Sequence, residues 1–245
     1  MSTVLLPPPP APAADWALFL DVDGCLLEFA PTPDAVIVPP GLPGTLTALQ
    51  RRLDGALALV SGRSLAALDR IFEPLRLTAA GLHGLERRAW AGEVHAPRRP
   101  AAFDDVLDDA HALARRHPGV VVEDKGVNLG LHWRLAPEAA GAVAAFAEAA
   151  LLRLPGYRLQ PGDHVVELRP EGAHKGTAIA AFLAEPPFAG RVPVFAGDDR
   201  TDEYGFEVVN AHGGISILVG DRPDTAARHA LADPAAVRRW LASGG

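Results

Sequence analysis

The stretch Ala17–Phe29, ALFLDVDGCLLEF, decides the fold, because an apolar run ends there in two aspartates that are separated by a single residue. Continuous rather than alternating apolarity predicts a strand that is buried on both faces, as in a parallel sheet. Four runs of this kind occur, and each is followed by small or polar residues. They are Trp16–Leu20, Ala56–Val60, Val192–Ala196 and Ile215–Val219.

Helical patterns separate these runs along the chain. They cover Gly41–Leu53, Leu65–Phe72 and Lys175–Ala184. Strands that alternate with helices are typical of an α/β fold, so the sequence predicts a doubly wound, Rossmann-like parallel sheet.

The middle of the chain breaks this order. We expect helices at Phe103–Arg116 and Ala139–Leu154 and a hairpin that turns at Pro161–Asp163. Between the helices apolar and polar residues alternate, which indicates a sheet with one polar face. The apolar set is Val127, Leu129, Leu131, Trp133 and Leu135. We therefore predict an inserted α+β domain at 98–172, within a core formed by 15–97 and 173–245.

Composition restricts the class of protein. The 245 residues are 49% hydrophobic, enough to bury a substantial core, and no apolar segment approaches the roughly 18–20 residues of a membrane-spanning helix. A net charge of −7 without a basic stripe argues against nucleic acid or an anionic membrane as a partner. The single cysteine, Cys25, fits a reducing cytoplasm. Residues 1–14 are proline-rich and lack the features of a secretory signal, so we predict a mobile tail there.

Polar residues follow the strands and are expected to meet, because ligands of open α/β sheets gather at the carboxyl ends of the strands. After the first, second and third runs these are Asp21 and Asp23; Ser61, Gly62 and Arg63; and Gly197, Asp198 and Asp199. Crowded carboxylates repel one another, and a hard divalent ion such as Mg²⁺ relieves that repulsion. Such a site suits a phosphate group, whose phosphorus one carboxylate can attack.

Two other interpretations of the aspartate pair are weaker. A calcium-binding loop would need oxygen ligands where Cys25 and Thr32 stand. Helix capping explains an isolated aspartate pair after a strand. It does not explain the accompanying serine, lysine and acidic motifs, of which Gly197–Glu203 places four acids in seven residues.

The motifs DVDG, SGR, HKG and GDDRTDE, in this order, resemble the four motifs of the haloacid dehalogenase superfamily of phosphotransferases. Three further stretches resemble the trehalose-6-phosphate phosphatase family within it: Gly81–Glu86, Val122–Arg134 and His164–Gly176. This narrower resemblance covers nearly everything after the tail. It implies that the core is catalytic and that the insertion at 98–172 is a cap that closes over the substrate.

The resemblance implies roles for the chemical groups of the core. Asp21 is expected to be the nucleophile, which forms an aspartyl-phosphate, and Asp23 the general acid and base. Ser61 and Lys175 are expected to hold the phosphoryl oxygens and to compensate their charge.

The resemblance also implies a metal site. Mg²⁺ is expected to be bound by Asp21, Asp198 and the main-chain carbonyl of Asp23. Asp199 and Asp202 are expected to orient these ligands.

Substrate recognition is expected from both parts of the chain. The residues implied are Arg63 and His83 in the core, and Glu123, Lys125 and Glu167 in the cap, where they would grasp glucose hydroxyls. For His83 a supporting role in the core is an equal alternative. The roles of His132 and Arg134 stay open, and Trp133 is expected in the cap interior.

Two positions depart from the family pattern. Cys25 stands where many relatives have threonine or serine, and His174 stands where asparagine or aspartate is frequent. Cys25 removes a hydroxyl contact, and His174 puts a minor substrate contact in doubt. Both changes leave the catalytic carboxylates in place.

The expected function is that of a cytoplasmic, Mg²⁺-dependent phosphatase that acts on trehalose 6-phosphate and is functionally paired with a trehalose-6-phosphate synthase. Two alternatives remain. One is another capped sugar phosphatase, acting on sucrose 6-phosphate or mannosyl-3-phosphoglycerate, since fold does not determine substrate. The other is a non-catalytic sugar-phosphate sensor.

Overall fold

The computed structural model describes residues 6–30, 32 and 35–243. The chain divides into two compact units: Met1–His95 together with Ala173–Gly245, which we call the core unit, and Ala96–Gly172, which we call the insertion. The sequence pattern alone puts the insertion at 98–172.

The described strands, numbered along the chain, are β1 (Trp16–Leu20), β2 (Leu57–Val60), β3 (Thr78–Gly81), β4 (Glu86–Arg88), β5 (Val94–His95), β6 (Val121–Asp124), β7 (Leu129–His132), β8 (Tyr157–Gly162), β9 (Val165–Pro170), β10 (Val192–Gly197), β11 (Ile215–Val219) and β12 (His229–Leu231). The helices are α1 (Leu42–Arg52), α2 (Leu65–Phe72), α3 (Ala102–Arg116), α4 (Ala140–Leu151), α5 (Lys175–Leu183), α6 (Glu203–Ala211) and α7 (Pro234–Ala242). Within the described part of the chain, none of these helices combines the length and the apolarity needed to cross a membrane.

The sheet of the core unit has the strand order β12-β11-β10-β1-β2-β3-β4-β5. The six strands from β12 to β3 are parallel, and β4 and β5 continue the sheet in the antiparallel sense. The predicted α/β fold is confirmed, and β1 and β11 cover the predicted residues. The short strands β3, β4, β5 and β12 and the helices α6 and α7 were not predicted.

Burial explains why the central strands carry continuous apolar runs. Every residue of β1, β2 and β3 is buried. The ring of Phe19 on β1 lies 6.0 Å from that of Phe182 and 5.4 Å from that of Phe188. Ser64 is the N-cap of helix α2, and its hydroxyl accepts the N–H of Ala67 at 3.2 Å. This N-cap satisfies one of the free donors at the first turn and sets the start of the helix.

The path of the chain through the sheet determines where a ligand can bind. From β1 it continues to β2 and β3 on one side, and it returns through β10 and β11 on the other. The order therefore reverses between β1 and β10, which is the place where open α/β sheets bind ligands. Asp21 and Asp198 directly follow these two strands.

The insertion has the predicted order α-β-β-α-β-β and an antiparallel sheet in the order β6-β7-β9-β8. Two details differ from the prediction. The hairpin turns at Asp163 and His164 instead of Pro161–Asp163, because Gly162 pairs with Val165. Leu135, expected on the apolar face, is 79% exposed because β7 ends at His132, whereas Trp133 packs against the core of the insertion.

The proline-rich segment that was predicted as a mobile tail packs, from Leu6 onward, against the rest of the core unit. The carbonyls of Pro7, Pro10 and Pro12 accept hydrogen bonds from the N–H of Ala230 (3.0 Å), the indole of Trp240 (2.7 Å) and the guanidinium of Arg52 (2.8 Å). Prolines restrict the backbone and leave their carbonyls free to accept, which favours this kind of docking. The first five residues of the predicted tail lie outside the described part.

Removing residues 1–12 is expected to lower the free energy of unfolding by about 3 kcal/mol, because three hydrogen bonds of about 1 kcal/mol each are lost. Removing only residues 1–5 leaves these bonds intact and is the matched control. Urea denaturation of both truncations measures the difference. Equal stability of the two would show that the docked segment does not stabilise the core unit.

Candidate active site

The start of α5 places Lys175 in the core unit. His174 is the N-cap of this helix: its Nδ1 accepts the N–H of Thr177 at 3.2 Å, and the hydroxyl of Thr177 accepts the N–H of His174 at 3.1 Å. This reciprocal arrangement is a capping box. The histidine thus performs the capping that asparagine or aspartate would perform at this position, and it fixes the residue that follows it.

The ammonium group of Lys175 lies between two carboxylates. Its Nζ is 3.0 Å from Oδ2 of Asp21 and 2.6 Å from Oδ1 of Asp202, and only 2% of the lysine is exposed. The other oxygen of Asp202 accepts the N–H groups of Asp198 and Asp199, both at 2.9 Å. Asp202 therefore connects the lysine to the loop that follows β10.

Three aspartates form an acidic cluster here. Oxygens of Asp21, Asp198 and Asp202 all lie within 4.8 Å of one another. Two of the predicted metal-binding side chains, Asp21 and Asp198, are thus brought together. Both oxygens of Asp202 are already engaged by Lys175 and backbone N–H groups, which suits the expected orienting role.

Burial dominates the electrostatics of this cluster. It raises the pKa of Asp21 to about 7 and that of Asp202 to about 8, with Lys175 partly offsetting the effect and neighbouring acids adding to it. Burial and the charges of Asp202 and Asp199 raise the pKa of Asp198 to about 7. For Lys175, burial lowers the pKa, but the charges of Asp21 and Asp202 outweigh it and the pKa is raised.

The donor set fits a hard divalent cation. The ammonium group of Lys175 contacts two of the three clustered carboxylates, so a further positive charge is needed to keep all three ionised. The available donors are oxygens, which Mg²⁺ prefers.

The carboxylate of Asp23 lies against Arg63. The guanidinium donates from Nε and from one terminal nitrogen to the two oxygens of Asp23, at 2.7 Å each. Side-chain exposure is 13% for Arg63 and 29% for Asp23. The pairing occupies the side chain of Asp23, so only its main-chain carbonyl would be left for a metal, as the resemblance implies.

Ser61 is hydrogen-bonded to the loop that follows β3. Ser61 is 1% exposed, its hydroxyl accepts the N–H of Arg63 at 3.2 Å, and its carbonyl accepts the N–H of His83 at 2.9 Å. His83 and Leu82 have the left-handed φ values of 57° and 49°, which are unusual for residues other than glycine. The backbone of His83 therefore supports the loop of Ser61, and contact of its imidazole with substrate stays a prediction.

Asp199, in the acidic motif Gly197–Glu203, has its own hydrogen-bond network. Oδ1 of Asp199 accepts the N–H of Thr201 at 2.7 Å and its hydroxyl at 2.6 Å. Burial raises the pKa of Asp199, but Lys175 and Thr201 together lower it below its usual range. Arg222 donates to the carbonyl of Asp199 at 3.1 Å and pairs with Glu203. Sequence reasoning missed Arg222, because it lies in a loop without a recognisable motif.

The insertion brings its three predicted sugar-binding residues together. Nζ of Lys125 is 2.5 Å from Glu167 and 3.3 Å from Glu123. Burial lowers the pKa of Lys125, but the charges and hydrogen bonds of the two glutamates outweigh it and raise the pKa. His132 joins this cluster through Glu123, at 2.9 Å. Arg134 does not join it and pairs with the exposed Asp163 at 2.7 Å.

Gly24 lets the acidic residues approach the turn after β1. Its φ is +73°, and a Cβ there would lie 2.2 Å from Oδ2 of Asp198. A side chain at this position would therefore overlap a carboxylate of the cluster as well as strain the backbone.

Comparisons with known proteins find relatives of one family. The family model described as trehalose-phosphatase matches residues 19–235. A probable trehalose-phosphate phosphatase of Sinorhizobium fredii is 48% identical over 218 residues, which cover 89% of this chain and 82% of that protein. The trehalose-6-phosphate phosphatase of Escherichia coli is 44% identical over 95% of this chain and 87% of its own length. A solved structure, named as a trehalose-6-phosphate phosphatase related protein, has a TM-score of 0.74 and 26% identity over 92% of this chain and 95% of that one.

Gly24→Ala is expected to lower the free energy of unfolding by more than about 2 kcal/mol, through left-handed strain and overlap with Asp198. Gly44→Ala is the matched control. It lies in α1, where a Cβ meets nothing within 4 Å, and it is expected to stabilise by about 0.5–1 kcal/mol. Urea denaturation measures both, and a neutral Gly24→Ala would contradict the described approach of Asp198.

Proposed function

The chain belongs to the trehalose-phosphatase family, and on this premise we propose that it hydrolyses trehalose 6-phosphate to trehalose and inorganic phosphate. The observation that supports the chemistry best is the buried carboxylate of Asp21 beside the ammonium of Lys175 and the carboxylate of Asp198. Such a group can attack phosphorus while the surrounding charges compensate the phosphoryl oxygens.

In the first step, an oxygen of Asp21 attacks phosphorus in line with the bond to the 6-oxygen of the sugar. The new bond forms as the old one breaks, and Asp23 in its protonated form donates its proton to the departing oxygen. The products of this step are trehalose and an aspartyl-phosphate on Asp21. Ser61 and Lys175 hold the phosphoryl oxygens during the transfer.

In the second step, Asp23 is a carboxylate and takes a proton from a water molecule whose oxygen attacks phosphorus. The bond between Asp21 and phosphorus breaks, inorganic phosphate leaves, and both aspartates return to their starting states. The oxygen of Asp23 that takes the proton would give up its contact with Arg63, while the second contact keeps the group in one orientation.

Magnesium is the cofactor that this proposal requires. Asp21 and Asp198 would hold it with the main-chain carbonyl of Asp23, and Asp199 and Asp202 would orient them. When bound, it supplies positive charge that offsets the charge of the phosphoryl group and of the acidic cluster.

The insertion would act as the cap and supply sugar recognition. The cluster of Glu123, Lys125 and Glu167 offers both donors and acceptors to hydroxyl groups. Recognition by such groups is selective, because a sugar that lacks a matching hydroxyl leaves a charged group unpaired. The proposal also includes a cytoplasmic location and functional pairing with a trehalose-6-phosphate synthase.

Phosphate release from a panel of substrates tests the proposal. With Mg²⁺ present, we expect the highest kcat/KM for trehalose 6-phosphate, well above that for sucrose 6-phosphate or mannosyl-3-phosphoglycerate. EDTA is expected to abolish release, and an excess of Mg²⁺ to restore it. Preference for another sugar phosphate would favour the alternative phosphatase, and full activity in EDTA would contradict the metal proposal.

Asp21→Asn is expected to lower turnover of trehalose 6-phosphate by more than about 1,000-fold, because the amide is a poor nucleophile. Binding of trehalose 6-phosphate, measured by calorimetry, should persist. Asp54→Asn is the matched control, since Asp54 is exposed and pairs with Arg191 away from the acidic cluster. A wild-type protein that binds the substrate without turnover would instead be a sensor, and an active Asp21→Asn would exclude this residue as the nucleophile.

A further inference from the structure

The polar face of the insertion sheet has a gap at its centre. Gly130 on β7 pairs with Glu123 on β6 and with Glu167 on β9. Residues that are directly opposite in antiparallel strands point to the same face. The two glutamates therefore flank a position that has no side chain.

The imidazole of His132 extends over this gap. His132 is two residues from Gly130 and so shares its face, and its Nε2 is 2.9 Å from Oε2 of Glu123. A Cβ at Gly130 would lie 3.2 Å from that nitrogen and 3.4 Å from that oxygen. The contact between His132 and Glu123 thus passes directly over Gly130, and the glycine leaves the room for it.

The direction of this hydrogen bond follows from the charge of Glu123. The bond to His132 is the largest cause of a lowered pKa at Glu123, and it outweighs the opposing effect of burial. An ionised carboxylate can only accept hydrogen bonds. Nε2 of His132 is therefore the donor.

His132 and Lys125 both contact Oε2 of Glu123. Nζ of Lys125 lies 2.5 Å from Glu167 but 3.3 Å from Glu123, so the lysine pairs mainly with Glu167. Of the two contacts with this oxygen, the one with His132 is the shorter. Without the imidazole, only the longer contact with Lys125 would hold this carboxylate, and it could rotate away from the position that a ligand meets.

We infer that His132 is a positioning residue for sugar recognition, which fixes the carboxylate of Glu123 directly above Gly130 while Lys125 contacts the same oxygen from the other side. This inference rests on the proposed function, in which these side chains contact the hydroxyls of trehalose 6-phosphate. The side chains of His132 and Glu123 are 39% and 37% exposed, so the pair is open to a ligand. The role that sequence reasoning left open for His132 is thereby assigned.

The test compares two substrates, trehalose 6-phosphate and p-nitrophenyl phosphate, which carries no sugar. His132→Ala is expected to raise KM for trehalose 6-phosphate about tenfold, the effect of one weakened charge-assisted hydrogen bond. The kcat/KM for p-nitrophenyl phosphate should stay within about twofold, because the core site is untouched. His132→Gln keeps an N–H donor near the position of Nε2 and is expected to recover most of the loss.

Gly130→Ala is a second, independent variant. It removes no charged or polar group, but its methyl group would crowd the contact between His132 and Glu123. The same selective rise in KM is expected. A rise in KM for both substrates in either variant would indicate general damage to the fold and would overturn the inference.

Glu123→Gln separates the inference from the proposed function. If this variant leaves the KM for trehalose 6-phosphate unchanged, the proposed sugar site is wrong. If it raises KM while His132→Ala and Gly130→Ala do not, the inference is wrong and the proposed function stands. If His132 acts through Glu123, the double variant Glu123→Gln/His132→Ala should show no larger effect than Glu123→Gln alone.

Discussion

The core site depends on one buried ammonium group. Lys175 at the start of α5 contacts Asp21 at the end of β1 and Asp202 after β10, so three separate parts of the chain are held by a single charge. Breaking a buried pair leaves an uncompensated charge and costs several kcal/mol, which makes the arrangement rigid. One ammonium group cannot balance the negative charge of all the carboxylates around it. That imbalance, rather than any single residue, makes the site suited to a divalent cation and a phosphoryl group.

The main strands of the core unit were predictable because their sequence signal is strong and local. Buried parallel strands need continuous apolar residues, and β1 shows them in the sequence. Strand β3 has the sequence TAAG, whose small residues are typical of many structures, and β12 has three residues. Both depend on neighbouring strands for their conformation. A pattern along the chain cannot reveal an element that is determined mainly by its partners.

The sequence predicted where the residues of the candidate site lie in the sheet, but not which side chains contact one another. The carboxyl ends of adjacent parallel strands bring Asp21 and Asp198 together, whatever their rotamers. The pairing of Asp23 with Arg63 depends on side-chain conformation, and spacing carries no information about it. The gap at Gly130 becomes visible only when the register of three strands is known. Motifs thus identify the residues of the site, whereas the strand register and the side-chain rotamers determine which of these residues contact one another.

The docked proline-rich segment has a consequence for the outer edge of the sheet. Strand β12 is the last strand on its side, and the N–H of Ala230 in that strand is donated to Pro7. An unpaired edge invites a strand from another molecule, and proline has no N–H with which to continue a ladder. The segment therefore terminates the sheet at this strand, and it keeps a parallel sheet from recruiting a foreign strand there.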